Sequence, residues 1–190
     1  MTIPRFLPRW LLALLLGCAA TLAAADYPDK PVKLIVSLPP GSGADTTARF
    51  LARHLSEKFG QPFLVDNRPG ADSFIAARAV AASPPDGYTL FVASNSPMVT
   101  NVAVFRQLPY DAVKDFQPLA RIARFPMVLV VPANSPFKTL QDLVAAARQA
   151  PGKLNFGSGT ATYRVALELL HERNQIKATA VPYKGTSAIV

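Results

Sequence analysis

Short apolar runs alternate along this chain with longer segments in which apolar residues recur at intervals of three and four. The first run, residues 32–37, is rich in β-branched side chains and predicts a buried strand. The segment that follows has the period of a helix covering this strand, and Gly60 is placed to end that helix. The apolar positions of the predicted helix are Ala44, Ala48, Leu51, Leu55 and Phe59.

The same alternation continues toward the middle of the chain. Residues 63–65 predict a second strand, residues 75–80 a second helix and residues 88–93 a third strand. A Pro-Pro-Asp-Gly turn at residues 84–87 separates the last two elements. Strands that alternate with helices in this way predict an α/β fold with a largely parallel sheet.

Two further apolar runs, residues 121–125 and 127–131, are separated by Pro126. Proline cannot donate a hydrogen bond to a central strand ladder, so a bend or crossing between domains is predicted at this point. The chain is therefore predicted to divide into a first lobe, residues 26–125, and a second lobe, residues 126–190.

The second half of the chain repeats the pattern. Thr139 and Asp142 have the spacing of a capping box at the start of a helix, and residues 154–156 predict a strand. A helix at residues 162–174 and a strand at residues 178–181 follow. The sequence ends where another helix should begin, so the second lobe is expected to be incomplete. The residues predicted to face inward from the last helix are Val165, Leu169 and Leu170.

The first residues have the pattern of an export signal. Arg5 and Arg9 precede an uncharged stretch of mostly Leu and Ala, residues 10–25, which ends in three alanines. Small residues there suit a signal peptidase that cuts before Asp26, and the apolar core is shorter than the ~20 residues of a spanning helix. Residues 1–25 are therefore predicted to be a cleaved signal peptide.

The only cysteine, Cys18, offers a competing interpretation. It follows Leu15, Leu16 and Gly17, which resembles a bacterial lipobox whose cysteine receives lipid. Leu16 is bulkier than is usual before the glycine, so a soluble periplasmic product is favoured over a lipoprotein. In both cases the mature domain has no disulfide, and its stability depends on packing.

The chain carries 20 Lys and Arg against 12 Asp and Glu, for a net charge of +8. These basic residues are scattered, and no run of them is interleaved with aromatic side chains. The pattern argues against a nucleic-acid partner and favours an attraction for small anions.

Two glycine-rich loops each lie between a predicted strand and a predicted helix. Glycines let the backbone pass close to a ligand, and a helix start offers unpaired N–H groups and a positive dipole end. Turn geometry alone would explain one such loop, but two copies in two lobes predict a clamp for a ligand with a carboxylate at each end. The candidate residues are Pro40, Gly41, Ser42, Gly43, Ala44 and Asp45 in the first loop and Gly157, Ser158, Gly159, Thr160 and Thr162 in the second.

Enzyme motifs are absent from the sequence. Thr46 stands where a dinucleotide fingerprint needs its third glycine, and no Gly-Lys-Ser/Thr follows for a P-loop. His54 and His171 lie on predicted helices without a metal-ligand spacing, and exposed helix positions are the simpler interpretation. No Gly-x-Ser-x-Gly elbow is present. We therefore expect no catalytic residue, metal or cofactor.

Eight short motifs occur in order along the chain after the leader: YPDKPVKLIV (27–36), PPGSGAD (39–45), GQP (60–62), DNRPG (66–70), PDGYTL (85–90), LPYD (108–111), PGKLNFGS (151–158) and VPYKG (181–185). Together they resemble the tripartite tricarboxylate transporter receptors, also called Bug proteins. Each motif alone is weak, but the ordered set is specific.

The resemblance implies a two-lobed periplasmic binding protein of the Venus flytrap, type II-like class, whose second lobe is incomplete here. It implies a monomer that closes on dicarboxylates, tricarboxylates, acidic amino acids or aromatic carboxylates and delivers them to two integral membrane transporter subunits. Beyond the two glycine-rich loops, the ligand-binding residues that it implies are Ser94, Asn95, Ser96, Asn101, Tyr183, Lys184 and Gly185.

Three residues or segments depart from the pattern of this family. Ser42 stands where a second glycine is usual, Arg164 replaces a common His, and the Gly157 loop is short; the last two are expected to alter ligand choice. Two other classes of function stay open: a periplasmic enzyme or nucleotide-binding Rossmann-like domain, and a surface lipoprotein that acts as an interaction module. Tyr183 has the alternative role of packing alone.

Overall fold

A computed structural model describes residues 26–183, 185, 188 and 189. The predicted signal peptide, Cys18 and Lys184 lie outside the described residues. The helices and strands are, in order, β1 (Val32–Val36), α1 (Gly43–Phe59), β2 (Phe63–Asn67), a 3₁₀ turn (Ala71–Ser73), α2 (Phe74–Ala81), β3 (Thr89–Val92), a π-helical turn (Ser96–Thr100), α3 (Asn101–Val104), α4 (Leu140–Gln149), β4 (Asn155–Ser158), α5 (Ala161–Asn174) and β5 (Thr179–Pro182).

The first sheet is parallel, in the order β2–β1–β3. Its central strand pairs Val32 with Phe63 on one side and Lys33 with Thr89 on the other. Apolar residues of β1 pack under Ala48 and Ala52 of α1 and form the main core. The predicted β-α-β-α-β order and the parallel sheet are confirmed.

Helix α1 begins and ends as its sequence predicts, but its buried face is shifted. The Ser42 side chain caps its start, and Gly60 ends it in a left-handed conformation (φ 68°) that favours glycine. Ala48 is buried as expected, whereas Phe59 is exposed and Ala52 lies inward instead. Phe59 is the last residue of the helix, and its ring lies beside that of Phe63 at the start of β2, with the ring centroids 6.0 Å apart.

The second sheet contains β4 and β5, which pair in parallel with Asn155 opposite Thr179. Val144 and Ala147 of α4 pack with Ile176 in a second core. The predicted capping box at the start of α4 is present: the Thr139 hydroxyl accepts from the Asp142 N–H, and the Asp142 carboxylate accepts from the Thr139 N–H.

The predicted inward face of α5 is partly wrong. Leu170 packs against the second core as expected, but Val165 and Leu169 are exposed (36% and 48%) and Leu167 is buried instead. Val165 and Leu169 are one turn apart and form one stripe, while Leu167 and Leu170 form another. The helical period marks both stripes equally, and only the second one is turned into the protein.

The segment between the two sheets contains no helix or strand from Phe105 to Thr139. The two apolar runs around Pro126 lie in it and are exposed. The lobe boundary at Pro126 stays a prediction. Among the described helices, none is long and apolar enough to cross a membrane.

Candidate ligand-binding site

The order β2–β1–β3 makes the carboxyl ends of β1 and β3 a topological switch point, where this type of sheet is expected to form a crevice. The chain passes from β1 to β2 on one side of β1 and later returns to form β3 on its other side. The connections that leave β1 and β3 therefore run in different directions. In open parallel sheets, ligands bind at such a switch point. The predicted loops after β1 and after β3 both begin here.

The loop after β1 is held by Asp45. Its carboxylate accepts a hydrogen bond from the Gly41 N–H (2.9 Å), and the Ser42 hydroxyl accepts from the Asp45 N–H (3.3 Å). Gly41 has φ 81°, a left-handed conformation that disfavours other residues. Pro40, Gly43 and Ala44 complete the predicted tight turn into α1. The N–H groups of Gly41, Ser42 and Asp45 are already hydrogen-bonded within this segment, so ligand binding by the loop stays a prediction.

Asp45 is buried, and its charge is compensated locally. Burial raises the pKa of its carboxyl, but hydrogen bonds from the Arg49 side chain and from the Gly41 N–H outweigh this effect, so the pKa lies below its ordinary value. Arg49 Nε lies 3.0 Å from Asp45 Oδ1, and the guanidinium also donates to Asn67 (3.1 Å). Asp45 therefore connects the loop to α1, and Arg49 connects Asp45 to the Asn67 amide at the end of β2.

We predict a pH dependence from this carboxyl. A depressed pKa in the folded state contributes stability that is present above the ordinary Asp pKa, about 3.9, and is lost as pH falls through the folded value. Because Arg49 is half exposed, the contribution should be only about 1 kcal/mol. Urea unfolding at pH values from about 6 to about 3 should show the wild type losing this advantage over Asp45→Asn. A constant difference between the two proteins would contradict the assignment.

The loop after β3 supplies buried polar groups. Ser96 and Asn101 are buried, and Asn95 is exposed. The Asn101 amide donates to the Asp72 carbonyl (2.8 Å), but its Oδ1 atom has no hydrogen-bond partner among the described residues. The buried hydroxyls of Ser37 and Ser94, at the ends of β1 and β3, also lack partners in the described part of the chain. Buried polar atoms without partners are costly, so this crevice is suited to a polar ligand.

The loop after β4 is bound to the loop after β3 by hydroxyl groups. Thr162 Oγ1 lies 2.9 Å from Ser96 Oγ and 2.8 Å from Thr100 Oγ1. Ser158 and Thr160 are buried, and the Ser158 hydroxyl donates to the Thr160 carbonyl (3.2 Å). Gly157 and Ser158, which were predicted to lie in the loop, are the last two residues of β4, so the loop itself contains only Gly159 and Thr160 before α5.

The loop after β5 touches the loop after β1. A Cβ atom at Gly185 would lie 2.6 Å from the ring of Pro39, so only glycine fits there. The Tyr183 ring lies against the Gly157 backbone, at 3.4 Å from the place where a Cβ would stand, which favours a packing role. The structure thus brings the four predicted loops together in two pairs. That they clamp one ligand stays a prediction.

Sequence reasoning missed several residues of this region. Asp72, Thr100 and Tyr110 were not candidates, yet the Tyr110 hydroxyl donates to the Pro97 carbonyl (2.6 Å) and supports the loop after β3. The Leu-Pro-Tyr-Asp motif was the one available signal for Tyr110. Asp72 lies beyond the motif Asp-Asn-Arg-Pro-Gly and carried no signal.

The two histidines lie on different helices, His54 on α1 and His171 on α5. The His54 Nδ1 atom lies 2.8 Å from the Phe50 carbonyl oxygen, on an exposed part of α1 as expected. His171 was expected to be exposed, but its side chain is only 11% exposed, because α5 turns it toward the protein. Within the described residues, no three His, Cys, Asp or Glu side chains could hold a metal ion.

Comparisons with known proteins agree on one family. The sequence profile of the tripartite tricarboxylate transporter family receptor matches residues 47–190. BugT of Bordetella pertussis is 35% identical over 177 residues, covering 92% of this chain and 54% of its own. The UPF0065 protein in the tcbD-tcbE intergenic region of Pseudomonas sp. is 39% identical over 167 residues, covering 86% and 49%. The chain spans about half the length of the curated relatives that it matches.

Solved structures show the same likeness. Rpa4515 of R. palustris with adipate is 38% identical and superimposes with a TM-score of 0.83, covering 86% of this chain and 56% of that chain. MatC (Rpa3494) from Rhodopseudomonas palustris with bound malate is 30% identical with a TM-score of 0.79, over the same shares of the two chains. The predicted class of fold, a periplasmic binding protein, is confirmed.

Proposed function

The chain belongs to the tripartite tricarboxylate transporter receptor family, and on this premise we propose that the protein captures a small carboxylate in the crevice between its loops. We further propose that it works in the periplasm after removal of residues 1–25, as a monomer, and passes its ligand to two integral membrane transporter subunits. It acts as a receptor and not as an enzyme.

One observation carries the choice of ligand class. At the carboxyl ends of β1 and β3, the buried hydroxyls of Ser37 and Ser94 have no partner among the described residues and are free to donate to a ligand, near the start of α1. Helix starts and hydroxyl groups favour an anion. The related proteins solved with adipate and with malate bind dicarboxylates, which supports the same class for this protein.

The proposal is tested by titrating the purified protein with adipate, malate, glutamate and benzoate, and following its melting temperature and the heat of binding. We expect at least one carboxylate to stabilise the protein, by about 2.7 kcal/mol when its free concentration is about 100 times Kd. The matched control is adipamide, which has the length of adipate but no charge and should not bind.

Product analysis separates the competing functions. A carboxylate receptor leaves its ligand unchanged after long incubation, whereas conversion of any carboxylate in the panel would indicate an enzyme. Stabilisation by NAD or ATP without stabilisation by carboxylates would favour the nucleotide-binding alternative. Equal binding of adipate and adipamide would contradict the anion site.

A further inference from the structure

Arg164 has an electrostatic environment that its own helix does not explain. It is the fourth residue of α5, at the positive end of the helix dipole, and the first turn of α5 holds no acidic residue. A cation is disfavoured at that end. Its Nη2 atom donates to Asp72 Oδ2 at 2.9 Å, across 92 residues of sequence. The partner that compensates the charge of Arg164 therefore comes from the first half of the chain.

Asp72 lies in a strained turn. Ala71, Asp72 and Ser73 have φ values of 45°, 49° and 75°, so three consecutive non-glycine residues adopt left-handed conformations. Such residues persist only where their surroundings hold them. The buried amide of Asn101 holds the Asp72 carbonyl (2.8 Å), and the Arg164 guanidinium holds its carboxylate.

A second polar contact joins the same turn of α5 to the same region. Thr162 precedes Arg164 by two residues, and its hydroxyl bonds to those of Ser96 and Thr100. Asn101 directly follows this π-helical turn. The first turn of α5 therefore contacts two segments, the turn at residues 71–73 and the π-helical turn at residues 96–100. Asn101 connects these two segments, because it follows the second one and its side chain bonds to the first.

We propose that the Asp72–Arg164 ion pair is a positioning contact that sets the separation of the ligand-binding loops on the two sheets. It holds the first turn of α5, and with it the Gly157 loop, against the loop after β3. Both side chains are only partly exposed, 21% for Asp72 and 40% for Arg164, so solvent screens the pair incompletely. The proposal rests on the proposed function, because it assigns these loops to one site.

Adipate affinity in single and double variants tests the pairing. Asp72→Asn keeps a residue that tolerates the left-handed conformation, and Arg164→Gln keeps the length of the side chain. We expect each to weaken adipate binding about 5- to 20-fold, and the double variant to be no weaker than the worse single variant, since paired residues are not additive. Arg173→Gln, at the far end of α5, makes the same charge change and should leave the affinity within about twofold.

The direction of the Asp72→Asn effect is decisive. If Asp72 only repelled an anionic ligand, or if Arg164 bound the ligand directly and Asp72 competed with it, removing the Asp72 charge would tighten adipate binding. Unchanged or tighter binding by Asp72→Asn, or additive losses in the double variant, would overturn the proposal.

Hydrogen exchange tests the contact without any ligand. In Asp72→Asn, the amides of residues 71–73 and 161–165 should exchange faster than in the wild type, while those of β1 should not change. Exchange that is unchanged in both segments overturns the positioning role. A wild type that binds no carboxylate but shows this paired change would refute the proposed function and leave the positioning contact standing.

Discussion

Replacing Ser42 with Asp should weaken carboxylate binding about 30-fold or more, which corresponds to about 2 kcal/mol at 25 °C. Ser42 is buried and caps the start of α1, where the first N–H groups of the helix have no partner within the helix itself. A carboxylate there would accept hydrogen bonds from these N–H groups and would repel an anionic ligand bound at the start of the helix. Isothermal titration with adipate or another carboxylate of the panel measures the loss.

Ser42→Asn is the matched control for this substitution. Asn is close to Asp in size and caps a helix equally well, but it adds no charge. The difference in affinity between the two variants therefore isolates the charge, and urea unfolding of both shows whether the loop is intact. Equal affinities for Ser42→Asp and Ser42→Asn would remove the start of α1 from the anion site.

The largest effect on stability is expected from Ile35→Ala, which should lower the free energy of unfolding by about 2–5 kcal/mol. Ile35 is 2% exposed and lies in β1, between the two other strands. Alternation along the strand directs it to the face opposite Leu34 and Val36, so its removal leaves a cavity that α1 cannot fill. This loss is a large share of the roughly 5–15 kcal/mol that stabilises a typical domain.

Leu64→Ala provides the comparison for Ile35→Ala. Leu64 lies on the neighbouring strand β2 and is half exposed, so its truncation should change the free energy of unfolding by less than about 1 kcal/mol. Urea unfolding followed by circular dichroism measures both variants. If the two substitutions cost the same, β1 is not the centre of the sheet.

Local rules explain what could be predicted from the sequence. The start of α4 depends on Thr139 and Asp142, three residues apart, and the end of α1 depends on Gly60 alone. The loop after β1 likewise contains its own stabilising groups, because Asp45 bonds to Gly41. Where a structural feature depends on residues within about one helical turn of each other, it can be predicted from the sequence.

Distant partners explain what could not be predicted. Asp72 and Arg164 are 92 residues apart, and neither has a local feature that points to the other. Thr162 was predicted as a hydroxyl donor for a ligand, but only the fold shows that Ser96 and Thr100 already bond to it. The predicted buried face of α5 was partly wrong for a related reason. The helix has two apolar stripes, and only tertiary packing determines which of them is buried.

The central position of β1 has a consequence for how the chain acquires its structure as it is synthesised. β1 is made first, yet both of its edges are bonded to strands that come later, β2 after the whole of α1 and β3 after α2 as well. Until β3 has emerged, an apolar strand with an open edge is exposed to other nascent chains. The first sheet therefore cannot be completed until β3 is available to pair with β1, whatever the strength of the pairing between β1 and β2.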